Sequence, residues 1–151
     1  MNRRRFLAAS ATGLAASALP AAAQRFQPPQ DVAPLVQQIT GGVTPEHGSI
    51  DIQLPQLAEN GNSVPLHITV ASPMTPDDHV EAIYVIAPRN PRPLVATFHL
   101  GAGCGRAEVA TRMRLAGTQK VLVLARLSGG RFLAGDDEVL VTSAACLDES
   151  V

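Results

Sequence analysis

Residues 50–54 read IDIQL and residues 64–70 read VPLHITV, and in both stretches apolar side chains alternate with other residues. A period of two is typical of β-strands that bury one face and expose the other. Between them, Glu59-Asn60-Gly61-Asn62 contains the Asn-Gly pair that favours a tight turn. The two stretches therefore predict two strands of a sheet with a turn between them.

Six further strands are predicted downstream, separated by turn-forming residues such as Pro88-Arg89-Asn90-Pro91 and Gly135-Asp136-Asp137. Seven or eight short strands at this spacing predict an all-β, immunoglobulin-like β-sandwich over residues 46–143. The six strands are expected at Val80 to Ile86, Leu94 to Leu100, Glu108 to Leu115, Lys120 to Leu127, Arg131 to Ala134 and Glu138 to Thr142.

A short N-terminal helix is predicted before the sandwich. Asp31 is placed to cap a helix through Leu35, Val36 and Ile39, and the pair Gly41-Gly42 would end it. The stretch ahead of the helix, from Gln24 to Pro34, is rich in proline and polar residues, as in a flexible leader. Residues 24–45 are therefore assigned to the leader and the helix.

The first 23 residues have the pattern of an export signal. Arg3-Arg4-Arg5 precedes Phe6-Leu7, a weakly apolar stretch runs from Ala8 to Leu19, and Ala21-Ala22-Ala23 supplies a small-residue cleavage site. The paired arginines indicate the twin-arginine pathway, and an ordinary signal peptide with extra arginines is the alternative. The apolar stretch is shorter than the roughly 20 residues of a membrane span. We therefore expect a periplasmic protein that begins near Gln24, without a membrane segment once the signal is removed.

The charge balance argues against a nucleic-acid partner. The chain has 151 residues, enough for one domain, and a formal net charge of −1. Loss of residues 1–23 removes three arginines and no acids, which leaves 9 basic and 13 acidic side chains, a net charge of −4. Such a chain lacks the basic surface that nucleic-acid binding requires.

The polar residues show no pattern of an active site or a metal site. The glycine-rich stretch from Gly101 to Gly105 follows a predicted strand, so its glycines are expected to serve a turn rather than bind phosphate. No spacing among the four histidines is typical of metal ligands, and we expect them on polar strand faces, with no metal and no cofactor. These histidines are His47, His67, His79 and His99.

Two cysteines remain as residues that could carry chemistry. Cys104 lies in the glycine-rich loop, and Cys146 follows the last predicted strand with five residues after it. In an exported protein, two cysteines are first suspected of forming a disulfide. Alternatively, Cys146 is free on a tail, residues 144–151, that reaches about 10 Å from the sandwich and carries a covalently bound group. Both interpretations stay open at this point.

Several segments resemble the SoxY family, the cysteine-bearing carrier subunits of bacterial sulfur (thiosulfate) oxidation. Besides the twin-arginine leader, they are residues 57–65 (LAENGNSVP), 72–75 (SPMT), 90–99 (NPRPLVATFH) and 107–115 (AEVATRMRL). The resemblance implies an immunoglobulin-like fold, no catalysis and no cofactor, and a heterodimer with a SoxZ-like subunit. It also implies that Cys146 is the attachment site, that a haem c enzyme couples thiosulfate to it, and that a manganese-dependent hydrolase releases sulfate.

The tail departs from the family pattern, which ends in a Gly-Gly-Cys-Gly-Gly arm. Residues 144–151 read AACLDESV here, so the conformational freedom of glycine is lost. Asp148 and Glu149 add negative charge that disfavours the thiolate and repels an anionic cargo. Cys104 has no place in the family pattern.

We therefore predict a divergent sulfur carrier with Cys146 as the attachment residue. The alternative is a non-carrier SoxY-like binding or scaffold module with a Cys104–Cys146 disulfide. An independent enzyme is disfavoured, because no nucleophile, base and orienting group are seen together.

Overall fold

The computed structural model of the protein describes residues 28–145. Within this range there are one α-helix, nine β-strands and a 3₁₀ turn at Ala102–Cys104. The elements are α1 (Ala33–Thr40), β1 (Glu46–His47), β2 (Ile50–Gln53), β3 (Leu57–Ala58), β4 (Val64–Val70), β5 (Val80–Ile86), β6 (Leu94–His99), β7 (Ala107–Met113), β8 (Gln119–Leu127) and β9 (Phe132–Val141).

The strands form two sheets that face each other. In the larger sheet the order is β1-β9-β8-β5-β6. The short strand β3 also pairs with β9, at Leu140 and Val141, whereas β1 pairs with β9 at Leu133 and Ala134. In the smaller sheet the order is β2-β4-β7, with every pair antiparallel. This arrangement confirms the predicted all-β, immunoglobulin-like sandwich.

The core lies between the sheets and is built from aliphatic side chains. On β4 the alternation is complete, since Val64, Leu66, Ile68 and Val70 are buried while the intervening residues are not. Each such side chain contributes about 1.5–3 kcal/mol when it leaves water. The period-two pattern in the sequence is therefore the direct cause of this packing.

The predicted helix is present at the predicted place. The carboxylate of Asp31 accepts a 3.0 Å hydrogen bond from the amide of Ala33, the first helical residue. Gly41 follows the last helical residue with φ of 63°, a left-handed conformation that glycine adopts without steric cost. Among residues 28–145, no helix is long and apolar enough to cross a membrane.

The last part of the predicted flexible leader is held against the sandwich. The amide of Gln30 donates a 2.8 Å hydrogen bond to the carbonyl oxygen of Pro88. The side-chain amide of Gln30 donates a 2.7 Å hydrogen bond to the carbonyl oxygen of Asn90. At Gln30 the predicted leader thus lies against the loop that follows β5.

One strand, β9, replaces the two strands predicted at Arg131 to Ala134 and Glu138 to Thr142. A Cβ atom on Gly135 would lie 3.2 Å from Cδ1 of Ile52 and 3.3 Å from Cβ of Ile50. This glycine therefore makes room for the facing sheet rather than for a turn. The predicted turn at Gly135-Asp136-Asp137 is wrong.

The aspartates of that stretch also belong to the strand. Asp136 lies opposite Leu122 in the β8–β9 ladder, and its carboxylate is 3.0 Å from Nζ of Lys120. The hydrogen bond that the Lys120 ammonium donates to the carboxylate of Asp136 raises the pKa of Lys120. Asp136 is tolerated in the strand because it is exposed and lies beside the cation of Lys120. Asp137 points to the opposite face of the sheet and is half-buried.

Candidate functional site

The chain after β9 is bound to the end of the sandwich. The amide of Thr142 donates to the carbonyl oxygen of Ala58 at 3.1 Å, and the carbonyl oxygen of Ser143 accepts from the amide of Gly61 at 2.7 Å. The amide of Ala145 then donates to the carbonyl oxygen of Leu115 at 2.9 Å, and Ala145 is buried. The candidate attachment residue Cys146 and residues 147–151 lie outside the described residues.

Gly61 is the centre of this arrangement. Its carbonyl oxygen accepts a 2.8 Å hydrogen bond from the amide of Leu115, so Gly61 joins Leu115 to Ser143. A Cβ atom on Gly61 would lie 2.6 Å from the oxygen of Leu115 and 2.8 Å from both the nitrogen of Ala145 and the oxygen of Ser143. All three contacts are backbone atoms, so only glycine fits. We call Gly61, Leu115, Ser143 and Ala145 the tail anchor.

The Asn60-Gly61 pair correctly predicts a turn, but it does not predict that Gly61 contacts two other segments of the chain. The structure has a turn at Gly61-Asn62, where the side chain of Asn60 accepts a 3.0 Å hydrogen bond from the amide of Asn62. Gly61 is not among the glycines with positive φ. A glycine is therefore required at position 61 because three segments of the backbone approach each other closely there. This approach is a property of the fold and is not visible in the local sequence.

A buried polar network holds the segment that contains Leu115. The side chain of Asn90 donates to the carbonyl oxygen of Arg114 at 2.9 Å and accepts from the amide of Ala116 at 3.0 Å. The amide side chain of Gln119 donates to the same Asn90 oxygen at 3.3 Å and accepts from the amide of Arg89 at 2.9 Å. Both Asn90 and Gln119 are only 5% exposed. The sequence predicts a turn at Asn90, and no local pattern there indicates its burial or its contacts with Arg114 and Ala116.

Cys104 lies at the other end of the sandwich. It is free and exposed in the 3₁₀ turn at Ala102–Cys104, between β6 and β7, which confirms the predicted loop. β7 starts opposite Val70 at Ala107 and ends opposite Val64 at Met113, next to the tail anchor. At about 3.3 Å per residue, β7 alone spans roughly 20 Å.

Ala145, the last described residue, therefore lies beyond the end of β7 that is opposite to Cys104. A disulfide requires Cα atoms no more than about 7 Å apart. Cys146 directly follows Ala145, and consecutive Cα atoms are about 3.8 Å apart. A Cys104–Cys146 disulfide would require residues 143–145 to leave the tail anchor.

The histidines are dispersed over the strands and loops. Nε2 of His67 lies 2.7 Å from a carboxylate oxygen of Glu108, on the outer face of the smaller sheet. His99 and His47 are exposed, and Nδ1 of His79 lies 3.1 Å from the carbonyl oxygen of Thr75. Across residues 28–145, no group of three or more His, Cys, Asp or Glu side chains converges to hold a metal ion.

Positive charge borders the tail anchor. Arg114 is exposed and directly precedes Leu115 in the chain. Arg112 is also exposed, and its guanidinium donates a 3.2 Å hydrogen bond to the hydroxyl of Ser63. Charges within about a Debye length, ~8 Å at physiological ionic strength, attract an anionic group. The described residues thus form a β-sandwich that holds the chain up to Ala145, one residue before Cys146.

Comparison with known proteins identifies the family. The model of the family described as "Sulfur oxidation protein SoxY" matches residues 36–146, so the match ends at Cys146. The solved structure of the sulfur carrier protein SoxY from Chlorobium limicola f thiosulfatophilum is 33% identical, with a TM-score of 0.57. That match covers 72% of this chain and 96% of that chain. The chain therefore belongs to the SoxY family, and it is a sulfur carrier rather than an enzyme.

Other similar structures share the fold alone. A superoxide reductase (neelaredoxin) from Ignicoccus hospitalis is 12% identical with a TM-score of 0.55, over 62% of this chain and 80% of that chain. A putative superoxide reductase from Thermotoga maritima is 17% identical with a TM-score of 0.53, over 65% of this chain and 89% of that chain. No curated protein matches the sequence.

Proposed function

We propose that this protein carries sulfur intermediates bound covalently to the thiol of Cys146 during sulfur oxidation. The observation that carries the proposal is that the SoxY family match extends to Cys146 and ends there. The fold supports it, because the tail anchor fixes Ala145, the residue before Cys146, at one end of the sandwich. Partner enzymes would therefore meet the cysteine at a defined place.

The loading step follows from thiol chemistry. The sulfur of Cys146 forms a disulfide bond with the terminal sulfur of thiosulfate, the thiol proton passes to water, and two electrons pass to a haem c enzyme of the kind the family uses. A manganese-dependent hydrolase then cleaves the bond between the outer sulfur atom and the sulfonate group with water, and the sulfonate leaves as sulfate. The carrier keeps the remaining sulfur atom on Cys146 as a persulfide. In both steps the chain supplies only the thiol and its position, and it needs no cofactor.

Membership in the SoxY family implies partnership with SoxZ and with other sulfur-oxidation proteins. We propose a heterodimer with a SoxZ-like subunit, together with the haem c enzyme and the hydrolase as transient partners. The exposed Arg114 supports a role at the anchor end, since a cation beside the attachment point attracts an anionic sulfonate.

We also propose that the protein works in the periplasm. The support is the sequence of residues 1–23, where Arg3-Arg4-Arg5 and Ala21-Ala22-Ala23 have the pattern of a twin-arginine export signal. The mature protein would begin near Gln24. Residues 1–27 lie outside the described residues, so this proposal rests on the sequence alone.

The alternative is a non-carrier scaffold with a Cys104–Cys146 disulfide. The structure argues against it, because β7 separates Cys104 from the tail anchor by roughly 20 Å. Intact mass of the mature protein, purified without reductant, tests the two ideas directly. The carrier predicts two free thiols or a reductant-labile adduct at Cys146. A loss of two hydrogens together with a cross-linked Cys104–Cys146 peptide would favour the scaffold.

A further inference from the structure

The tail anchor restrains both ends of the short segment between β9 and Cys146. The oxygen of Ser143 is bound at 2.7 Å by the amide of Gly61, and the amide of Ala145 is bound at 2.9 Å by the oxygen of Leu115. Gly61 and Leu115 are themselves joined by a 2.8 Å hydrogen bond. Residues 143–145 therefore continue the bonded structure beyond the end of β9.

Leu115 is in turn fixed from both sides by one buried side chain. Asn90 binds the carbonyl oxygen of the preceding residue, Arg114, and the amide of the following residue, Ala116. The side chain of Leu115 is fully buried, so this segment has little freedom to move. Asn90 thus determines where the oxygen that binds Ala145 lies.

We infer that Asn90 is a positioning residue for the cargo cysteine, acting through Leu115 and Ala145. The chain is thereby held by hydrogen bonds up to Ala145, the residue directly before Cys146. The inference rests on the proposed function, in which Cys146 carries the cargo. Partner enzymes must accordingly bring their active sites to the end of the sandwich around Gly61.

This inference explains why the tail has alanines where the family pattern has glycines. Ala145 is only 7% exposed and Ala144 is partly buried, so Ala145 fills space in the anchor rather than lining an open arm. A glycine at 145 would keep the hydrogen bond but would add backbone freedom next to the cysteine. The alanine is therefore suited to a fixed attachment point.

The test uses the mature chain with Cys104→Ser, so that Cys146 is its single thiol. Hydrogen exchange of the Ala145 amide should be slowed at least about 100-fold relative to a free peptide, since opening must precede exchange. N-ethylmaleimide and the same maleimide on a large polyethylene glycol should label Cys146 at different rates, because the large reagent is hindered by the sandwich. The ratio of the two rates measures how far the thiol stands away from the body.

Asn90→Ala should raise the labelling rate of the large reagent at least about threefold and leave that of the small reagent within about twofold, since only the tail opens. Gln38→Ala, at an exposed position of α1, is the control and should change neither rate. Ala145→Pro is the second variant and serves if Asn90→Ala does not fold, because it removes the N–H that binds Leu115. Its ring also restricts the backbone of residues 144 and 145. Exchange of Ala145 at the free-peptide rate, or an unchanged labelling ratio in the folded variants, would overturn the inference. If instead the amide is protected but Cys146 never receives a sulfur adduct, the proposed function fails and the anchor stands.

Discussion

The amide nitrogen of Ala145 lies 2.9 Å from the carbonyl oxygen of Leu115, and this hydrogen bond joins the residue before Cys146 to the end of the sandwich. Leu115 follows β7 at the end where Gly61 lies, whereas Cys104 precedes β7 at the opposite end. This backbone contact thus fixes Ala145, the residue before the proposed attachment residue, at the end of β7 opposite to Cys104.

Replacing Gly61 with alanine should destabilise the protein by roughly 1–3 kcal/mol, because the added methyl group overlaps three backbone atoms that cannot rotate away. Urea unfolding of the mature chain measures this loss. Gly103→Ala is the control, since a Cβ atom there meets nothing within 4 Å, and its stability should stay within about 0.5 kcal/mol of the parent. Equal stability of the two variants would show that Gly61 does not hold the anchor as described.

Asn90→Asp should give a stability loss that depends on pH. The new carboxyl faces the carbonyl oxygen of Arg114, so its neutral form is favoured and its folded-state pKa lies above the unfolded value. The stabilising contact is present below the unfolded pKa and is lost as pH rises through the folded pKa.

We expect the free energy of unfolding of this Asn90 variant to fall by roughly 1–3 kcal/mol at pH 7 and by less at pH 4, each relative to the parent at the same pH. Denaturant titrations at the two pH values measure it. Gln56→Glu, at an exposed position where the side chain makes no hydrogen bond within residues 28–145, should show no such difference between the two pH values. A loss that is independent of pH would contradict the buried contact with Arg114.

Export should depend on arginine identity rather than on charge. Replacing Arg3, Arg4 and Arg5 with lysine keeps the positive head but removes the arginine pair of a twin-arginine signal. We expect the precursor to remain in the cytoplasm, whereas the unaltered protein is recovered from the periplasm with an N-terminus near Gln24. Fractionation and N-terminal sequencing provide the measurement. Normal export of the lysine variant would identify an ordinary signal peptide instead.

Cys104→Ser should leave both stability and carrier function unchanged. Cys104 is exposed and free at the end of the sandwich away from the tail anchor, and surface substitutions of this kind change stability by about 0.5 kcal/mol or less. Thermal unfolding and loading with thiosulfate should match the parent. A clear loss of stability under oxidising conditions would indicate that Cys104 takes part in a bond.

The sandwich was predictable from the sequence because period-two alternation reports which side of a strand faces the core. Val64 to Val70 follows this rule without exception. The sequence pattern was misleading at Gly135. Its local neighbourhood predicts a turn, but the glycine lies inside β9, where it allows the close approach of Ile50 and Ile52 from the other sheet. Strands as short as β1 and β3, each of two residues, carry too little pattern to be seen.

The candidate site was predictable only in part, because a sequence pattern reports local features and the site depends on contacts between residues that are distant in the chain. Cys146 was singled out from its sequence position and from the family resemblance, both of which are local. The tail anchor depends on Gly61, Leu115 and Ala145, which are far apart in the chain and meet only in the fold. Asn90 was likewise taken for a turn residue, because nothing in its neighbourhood in the sequence indicates burial.

The central claim is that Cys146 is the residue to which sulfur cargo is attached. In the most direct measurement, the mature protein is incubated with a SoxZ-like partner, the haem c enzyme and thiosulfate. The adduct is then mapped by mass spectrometry without reductant. We predict a thiosulfate-derived adduct on the peptide that contains Cys146, removable by reductant, present in Cys104→Ser and absent in Cys146→Ser. An adduct on Cys104, or loading that persists in Cys146→Ser, would contradict the account.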